Sequence, residues 1–562
     1  MPRVLIADKL EASGIDWLRQ AGVEVDVCLG LKGEELAATL RQYDACIVRS
    51  QPRITADCLE QPGRLRAIAR AGVGVDNIDV AAATRKGIVV MNTPGGNTIA
   101  AAEHTLALLL ALARRIPEAD ACLKRGGWDR NAFVGIQLAG KTLGVIGLGR
   151  IGREVARRAK ALDMRIVVLD PYVTAAKAAE WGYEMARSLE ELLPQVDFLT
   201  LHVPLSDETR SLIGAKELSR MKRTACIVNV ARGGVVDEAA LVEALQTGQI
   251  AGAGIDVFSV EPLPPDHPLR HAPHVVLTPH LGASTVEAQE TVALEAAQLI
   301  TDFLLRGRVA NAVNMPAVDP QELAEVQPYL DLARRLGLLQ AQLAHGAIRR
   351  ATLVYKGDLA GRKNRLLTAA FTAGLLEYRL SEGVNLVNAE VLASERGIEI
   401  SESSHPKRGD FAAMIQTEVE TEQGTTIASG TLFGDQYPRL VQLGPFRMEG
   451  YLDGVMMLFH HRDVPGLIGY VGTIFGNHQV NIAQMTVGRQ TPGGDAIGIL
   501  NLDSPPPEEA VAAVQAHPQI RNVRVVKLPP PGETPPWLGG VEREPLFTAA
   551  VGKGVPKVFP KS

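Results

Sequence analysis

Three polar residues of this chain each follow a short apolar run. Arg232 comes after Ala225–Val230, Glu261 after Ala253–Val257 and His280 after Val275–Thr278. A guanidinium, a carboxylate and an imidazole make a working set for moving a proton on an anionic substrate. Imidazole titrates near neutral pH and serves as acid or base. A carboxylate on its second ring nitrogen fixes the tautomer and offsets the imidazolium charge, a role for Glu261. A guanidinium grips a carboxylate through paired hydrogen bonds and polarises a neighbouring carbonyl. Each residue also has an ordinary use: His280 as a helix cap, Glu261 as a solvated loop acid, Arg232 as a phosphate or surface contact. Their common position past strand ends is what joins them.

The element that would set a redox partner beside them is Lys141–Gly152. A short apolar strand runs into G-x-G-x-x-G (Gly147, Gly149, Gly152), then into a helical pattern, then into a second strand that ends at Asp170. This is the dinucleotide-binding fingerprint in its full context. Gly147 permits the tight turn, Gly149 lets a pyrophosphate approach, and Gly152 lets the helix pack on the strand. The helix N-terminus offers free N–H groups to phosphate. Asp170 accepts hydrogen bonds from ribose hydroxyls and repels a 2′-phosphate, which favours NAD over NADP. In a parallel sheet the carboxyl ends of the strands share one edge. Arg232, Glu261 and His280 are therefore expected to converge beside the nicotinamide.

Residues 4–80 alternate strands and helices and predict a second, smaller open α/β sheet. Three loops at its expected ligand edge suit a small anion: Arg49-Ser50, Arg70-Ala71-Gly72-Val73-Gly74 and Pro94-Gly95-Gly96-Asn97. Arg49 and Arg70 fit equally well as surface cations. Residues 98–116 predict an Ala/Leu helix that is apolar nearly all round, hence buried between domains or subunits.

At 562 residues the chain is long enough for three or four domains. A net charge of −5 argues against nucleic acid or an anionic membrane as the main partner. The five cysteines (Cys28, Cys46, Cys58, Cys122, Cys226) show no metal or redox spacing, so no metal site is expected and a reduced, cytoplasmic setting is. The N-terminus runs straight into a strand with no signal-peptide pattern. The longest apolar run is too short to span a bilayer.

The fold expected is α/β throughout: two Rossmann-like doubly wound parallel sheets, then two further domains. The first would be a substrate domain of 1–97 and 284–315, with the 284–306 helix packing back on the N-terminal sheet. It would enclose a dinucleotide-binding domain of 98–283. From 316 to 452 a new α/β domain follows, with helices at Ala324–His345 and Asn364–Tyr378 and strand-like runs at Ala351–Lys356 and Ile415–Glu420. Residues 453–528 read as βαββαβ, the ferredoxin-like plan, with a polar loop, Arg462–Gly466, before its first helix. Residues 529–562 hold eight of the 34 prolines and predict an extended or disordered tail.

These segments together resemble the D-isomer-specific 2-hydroxyacid dehydrogenases. The likeness rests on Gly147–Gly152 with Asp170, Asn229–Gly234, Asp256–Pro262 and Pro279–Thr285. Within that family, Val48-Arg49-Ser50, Arg70–Asp79, Asn92-Thr93-Pro94 and Trp128-Asp129-Arg130 are most similar to the long-form phosphoglycerate dehydrogenases. The resemblance implies NAD-dependent oxidation of 3-phosphoglycerate, the entry to serine synthesis, by a homo-oligomer. It makes Arg232, Glu261 and His280 catalytic. It puts the dinucleotide on Gly147, Gly149, Arg150, Ile151, Gly152, Asp170, Val203, Val230, Ala231, Arg232, Asp256, His280, Leu281, Gly282 and Ala283. It gives the substrate's anionic ends to Arg49, Ser50, Arg70 and Asn97, and to Arg130 from a neighbouring subunit. The 316–452 segment resembles the family's intervening domain, through Val387-Asn388-Ala389 and Ala393–Gly397. The βαββαβ segment looks like an ACT domain, and L-serine is the implied effector at His461, Asp463 and Asn481. One departure is that Gln51-Pro52 stand where the family has a small residue and threonine. One hydroxyl donor to phosphate is thereby lost, with Arg53 close by. Two other readings share these features: another D-2-hydroxyacid dehydrogenase acting on 2-oxoglutarate or glyoxylate, and an NAD-sensing corepressor of the same fold.

Overall fold

The computed structural model describes residues 1–315, 320–380, 383–407, 409–434 and 436–533, with the side chains of 320–324 excepted. Most of the proline-rich tail lies outside the described residues.

Short, largely apolar runs such as Ala45–Val48 and Phe198–Leu201 form central strands buried on both faces, as a parallel sheet covered by helices requires, and the edge strand Glu24–Val27 is partly exposed. The first sheet has the parallel order β2-β1-β3-β4-β5, built from Glu24–Val27, Arg3–Ile6, Ala45–Val48, Ala67–Arg70 and Val89–Asn92. The helix Val286–Arg306 returns to this sheet. Its Val292, Ala296, Ala297, Ile300 and Phe303 share a core with Val4, Ile6, Ala45, Ile47 and Ala69.

The second sheet is also parallel, with order β12-β11-β10-β9-β6-β7-β8. Its strands are β6 Thr142–Ile146, β7 Arg165–Leu169, β8 Glu184–Met185, β9 Phe198–Leu201, β10 Cys226–Asn229, β11 Gly252–Ile255 and β12 Val275–Leu277. The order reverses between β6 and β9, which opens a crevice at the carboxyl ends of these two strands. The helix Thr98–Arg114 packs on this domain through Ala102, Leu106, Leu108, Leu109 and Ala113. It is not enclosed all round: Ile99 and Leu110 are exposed in the single chain.

Beyond residue 320 the helices Pro320–Leu343 and Arg365–Glu377 cover a six-stranded sheet of order β14-β13-β15-β16-β17-β18. Its strands are β13 Ile348–Gly357, β14 Glu399–His405, β15 Ala413–Thr421, β16 Gly424–Phe433, β17 Tyr437–Leu443 and β18 Phe446–Tyr451. Only two of these six, β13 and β15, were expected from the sequence. This domain docks on the substrate domain through Asn385, which donates to the Gly87 carbonyl at 2.8 Å, and Asn388, which donates to that of Arg85 at 3.5 Å.

The last sheet is antiparallel, order β20-β21-β19-β22, from Ile482–Arg489, Asp495–Leu502, Val455–Arg462 and Ile520–Lys527. Helices Leu467–Asn477 and Glu508–Gln515 complete the βαββαβ plan. Strand alternation splits its side chains. Met457, Phe459 and Leu500 face its own helices, whereas Met456, Leu458, Ile497 and Ile499 join the core of the preceding domain. The two C-terminal domains therefore share one apolar core.

Candidate active site

The glycine turn follows β6. Gly147 has φ of 87°, and a Cβ there would lie 2.5 Å from the His202 carbonyl oxygen. A Cβ on Gly152 would lie 2.0 Å from the Gly147 oxygen, so glycine alone allows helix and turn to meet. Above Gly149 the space is open, and the helix Arg150–Ala161 starts at the next residue. Open space over unpaired helical N–H groups is what a pyrophosphate requires. Asp170, just past β7, accepts the amides of Leu148 at 2.6 Å and Tyr172 at 2.7 Å. It thereby sits against the glycine turn. Arg150 and Ile151 open the helix, Val203 follows β9, and Val230 and Ala231 follow β10. These residues fit a dinucleotide along the crevice.

The three polar residues lie at the carboxyl ends of neighbouring strands of this sheet. His280 Nδ1 is 2.8 Å from Glu261 Oε2, and Glu261 Oε1 accepts the Phe258 amide at 3.0 Å. Burial pushes the Glu261 carboxyl up. Hydrogen bonds from His280 and Phe258 outweigh this and hold it below the ordinary range. Arg232 is placed by Asn229, which donates from Nδ2 to the Arg232 carbonyl at 3.0 Å and accepts the Ala231 amide. A Cβ on Gly233 would lie 2.0 Å from the Phe258 oxygen. The Arg232 loop is thus pressed against the residue that holds Glu261.

Arg232 reaches across to the first domain and pairs with Asp76, Nε to Oδ2 3.3 Å. Asp76 belongs to a segment quoted above only for its likeness. No spacing singled it out, because an exposed acid in a glycine-rich loop reads as a turn residue. Arg70 donates to the Arg49 carbonyl at 3.2 Å and to Ser50 Oγ at 3.5 Å. Burial, then the nearby Arg232 cation, lowers the Arg70 guanidinium to about 10. Three guanidinia, Arg49, Arg70 and Arg232, thus gather with two carboxylates, Asp76 and Asp8, and the excess of positive charge favours an added anion. A cleft of about 1180 Å³ between the two domains is lined by Asp8, Ser50, Arg70, Asp76, Glu261 and His280, among others.

Some expected residues lie apart. Arg130 is exposed and stacks over Trp128 at 5.8 Å, outside this cleft. Asn97 precedes the helix Thr98–Arg114, and its Oδ1 is buried without a hydrogen bond among the described residues. Asp256 follows β11. Its side chain is fully buried, and the amides of Leu281 and Gly282 occupy its carboxylate. Gly282 is buried under that carboxylate, whereas Leu281 is exposed and Ala283 half-buried.

In the last domain His461 is 5 % exposed and stacks on Phe459 at 5.4 Å. Its Nε2 has no hydrogen-bond partner among the described residues. Asp463 accepts from Arg489 at 2.7 Å and from the Gly493 amide at 3.0 Å. Asn481 donates to Asp503 at 2.6 Å.

Three family models match in chain order: the NAD-binding domain of the D-isomer-specific 2-hydroxyacid dehydrogenases over residues 106–282, the D-3-phosphoglycerate dehydrogenase intervening domain over 325–444, and the ACT domain over 455–519. The D-3-phosphoglycerate dehydrogenase of Methanocaldococcus jannaschii is 44% identical over 529 residues, 94% of this chain and 100% of its own length. The chain belongs to the D-3-phosphoglycerate dehydrogenase family. The family member of Synechocystis is likewise 44% identical, over 94% of this chain and 95% of its own. A solved glyoxylate reductase from Paecilomyes thermophila is 30% identical with a TM-score of 0.52, and it covers 56% of this chain and 98% of its own. The first half is therefore an architecture shared with dehydrogenases of other substrates. The intervening and ACT domains are what this chain has in common with D-3-phosphoglycerate dehydrogenases. Like them it is an NAD-dependent oxidoreductase. Among the described residues no helix is long and apolar enough to cross a membrane.

Proposed function

We propose that this chain oxidises 3-phospho-D-glycerate to 3-phosphohydroxypyruvate with NAD⁺, the first step of L-serine biosynthesis in the cytoplasm. The observation that carries the chemistry is the 2.8 Å contact between His280 Nδ1 and Glu261 Oε2, in a cleft that Ser50 and Arg70 also line. With Nδ1 held by Glu261, His280 presents Nε2 to the substrate hydroxyl and takes its proton. Glu261 offsets the charge that His280 then carries. Arg232 holds the substrate carboxylate and polarises the forming carbonyl. Gly147–Gly152, Arg150, Asp170 and the loops after β9 and β10 hold the dinucleotide, which supplies the hydride acceptor. Arg49, Ser50 and Arg70 take the remaining negative charge. Domain limits at 97/98, 283/284, 315/316 and 452/453 follow from this division of labour, with residues 1–97 and 284–315 as the substrate half.

The working form is a homo-oligomer. Ile116, Leu123, Trp128, Val134 and Ile136 are exposed apolar side chains clustered after the helix Thr98–Arg114. A second copy on this face would bury them and bring Arg130 toward a neighbour's cleft. L-Serine is the effector, held at His461, Asp463 and Asn481. Initial rates of NADH formation test both readings. Turnover of 3-phosphoglycerate is expected to exceed that of unphosphorylated D-glycerate and to fall when L-serine is added. Equal rates on the two acids would contradict the phosphate assignment. No change in rate or melting temperature with serine would contradict the effector site.

A further inference from the structure

The acid–base pair is held from behind by Asp256, which follows β11. Its carboxylate accepts four hydrogen bonds. On Oδ1 these come from the Leu281 amide at 2.7 Å, the Thr278 hydroxyl at 2.6 Å and His104 Nε2 at 3.2 Å. On Oδ2 the donor is the Gly282 amide at 2.9 Å. The Asp256 carbonyl accepts the His280 amide at 2.8 Å. Three successive amides, 280 to 282, therefore end on one residue. They fix a strained turn: His280 has φ of 56°, in the left-handed region that a residue with a Cβ rarely adopts. Two residues beyond Asp256, Phe258 holds Glu261. Asp256 thus stands where the supports of His280 and Glu261 meet.

His104 lies within the helix Thr98–Arg114, its side chain largely shielded from solvent. Its Nε2 is 3.1 Å from Thr278 Oγ1 as well as 3.2 Å from Asp256. The Thr278 hydroxyl gives its one proton to Asp256, so toward His104 it is an acceptor. His104 must therefore carry the proton on Nε2 and donate to both oxygens. On its own helix the residues one turn away, Ala100, Ala101, Ala107 and Leu108, carry no polar side chain, and the adjacent Glu103 is exposed. Helix packing alone would accept leucine here.

We infer that His104 is a positioning residue for the proton-transfer pair: it donates to Asp256 and Thr278, and through them it fixes the 280–282 loop. The inference rests on the reading of His280 as the proton acceptor. It gives His104 no contact with substrate.

The test uses the full chain with His104→Leu, His104→Gln and Thr278→Val. Two readouts are taken: backbone hydrogen–deuterium exchange over 278–283, which needs no turnover, and steady-state kinetics with 3-phosphoglycerate and NAD⁺. His104→Leu is expected to speed exchange at 281 and 282. It should lower kcat about tenfold to a hundredfold, with KM values within about twofold of wild type. His104→Gln can place an amide donor near the position of Nε2 and is expected to restore both readouts. Thr278→Val, nearly unchanged in volume, should speed the same exchange. Its combination with His104→Leu should lose less than the product of the two single effects. Unchanged exchange in Thr278→Val and in folded His104→Leu would overturn the inference. So would a glutamine variant as impaired as the leucine one. If wild-type protein failed to turn over 3-phosphoglycerate, the proposed reaction would fall, and the exchange result would still decide the role of His104.

Discussion

Glu261 is where the chemistry is most exposed to a single change. Its carboxylate spans two partners, His280 on one oxygen and the Phe258 amide on the other. An amide in its place cannot offset an imidazolium. Glu261→Gln is therefore expected to lower kcat by about 10²-fold or more, with substrate binding largely kept. The same change has a pH signature. The Glu261 carboxyl is held below its ordinary 4.5, so its contribution to stability is complete above that value. The contribution is lost as pH falls through the lower, folded-state value. The gap in melting temperature between wild type and Glu261→Gln should thus be widest near neutral pH and close as pH falls from 4.5 through the lower, folded-state value. A gap that widens with acid would contradict this sign. At this scale the sequence was legible where strand ends carry the chemistry, as at Arg232, Glu261 and His280. It was not legible at Asp76 or His104. Their partners, Arg232 and Asp256, are distant in sequence, and neither an exposed loop acid nor a helix histidine has a spacing to betray it.

The elements divide in the same way. Strands such as Cys226–Asn229 are apolar on both faces and short, and helices separate them, so the parallel sheets could be read from pattern alone. The intervening domain has strands of another kind. Gly424–Phe433 opens with Gly-Thr-Thr, Tyr437–Leu443 contains proline and arginine, and Phe446–Tyr451 alternates with Arg447 and Glu449 toward solvent. Their register is set by pairing with β15 and by the helices above, not by their own composition. The helix Pro320–Leu343 carries the strongest polar anchor of this half. Arg335 is 1 % exposed and donates to Asp331 at 2.8 Å. It also donates to the carbonyls of Leu452, Pro529, Pro530 and Glu533. It ties the helix to the segments on either side of the ACT sheet. Arg335→Met would leave Asp331 without its buried counter-charge and take one donor from each of four carbonyls, of which those of Pro529 and Pro530 keep the amides of Gly454 and Glu533. A loss of about 3–5 kcal/mol is expected in the unfolding of the C-terminal half. Scanning calorimetry should show that transition moved down. An unmoved transition would mean that the buried cation adds nothing to the apolar core around it.

The whole molecule is four sheets joined in two pairs. The first pair encloses the cleft, and the second shares one core across the domain boundary. Asn385 and Asn388 link the pairs at the end of the helix that precedes β5. That strand carries Asn92, whose Nδ2 donates to the Val73 carbonyl in the loop beside Arg232. What the single chain leaves open is the apolar cluster around Leu123 and Trp128. If this face carries the proposed contact between copies, Leu123→Glu with Trp128→Glu will produce a smaller species in sedimentation and lower activity, since the proposed role of Arg130 in a neighbour's cleft would be lost. Unchanged sedimentation would place the assembly contact elsewhere.

The central claim is that His280, seated on Glu261 in the interdomain cleft, removes the hydroxyl proton during oxidation. The most direct measurement is the initial rate of NADH formation from 3-phosphoglycerate by His280→Ala beside wild type, with folding of both confirmed by melting temperature. A fall in kcat of about 10²–10⁴-fold is expected. NADH production at the wild-type rate by a folded His280→Ala protein would contradict the assignment.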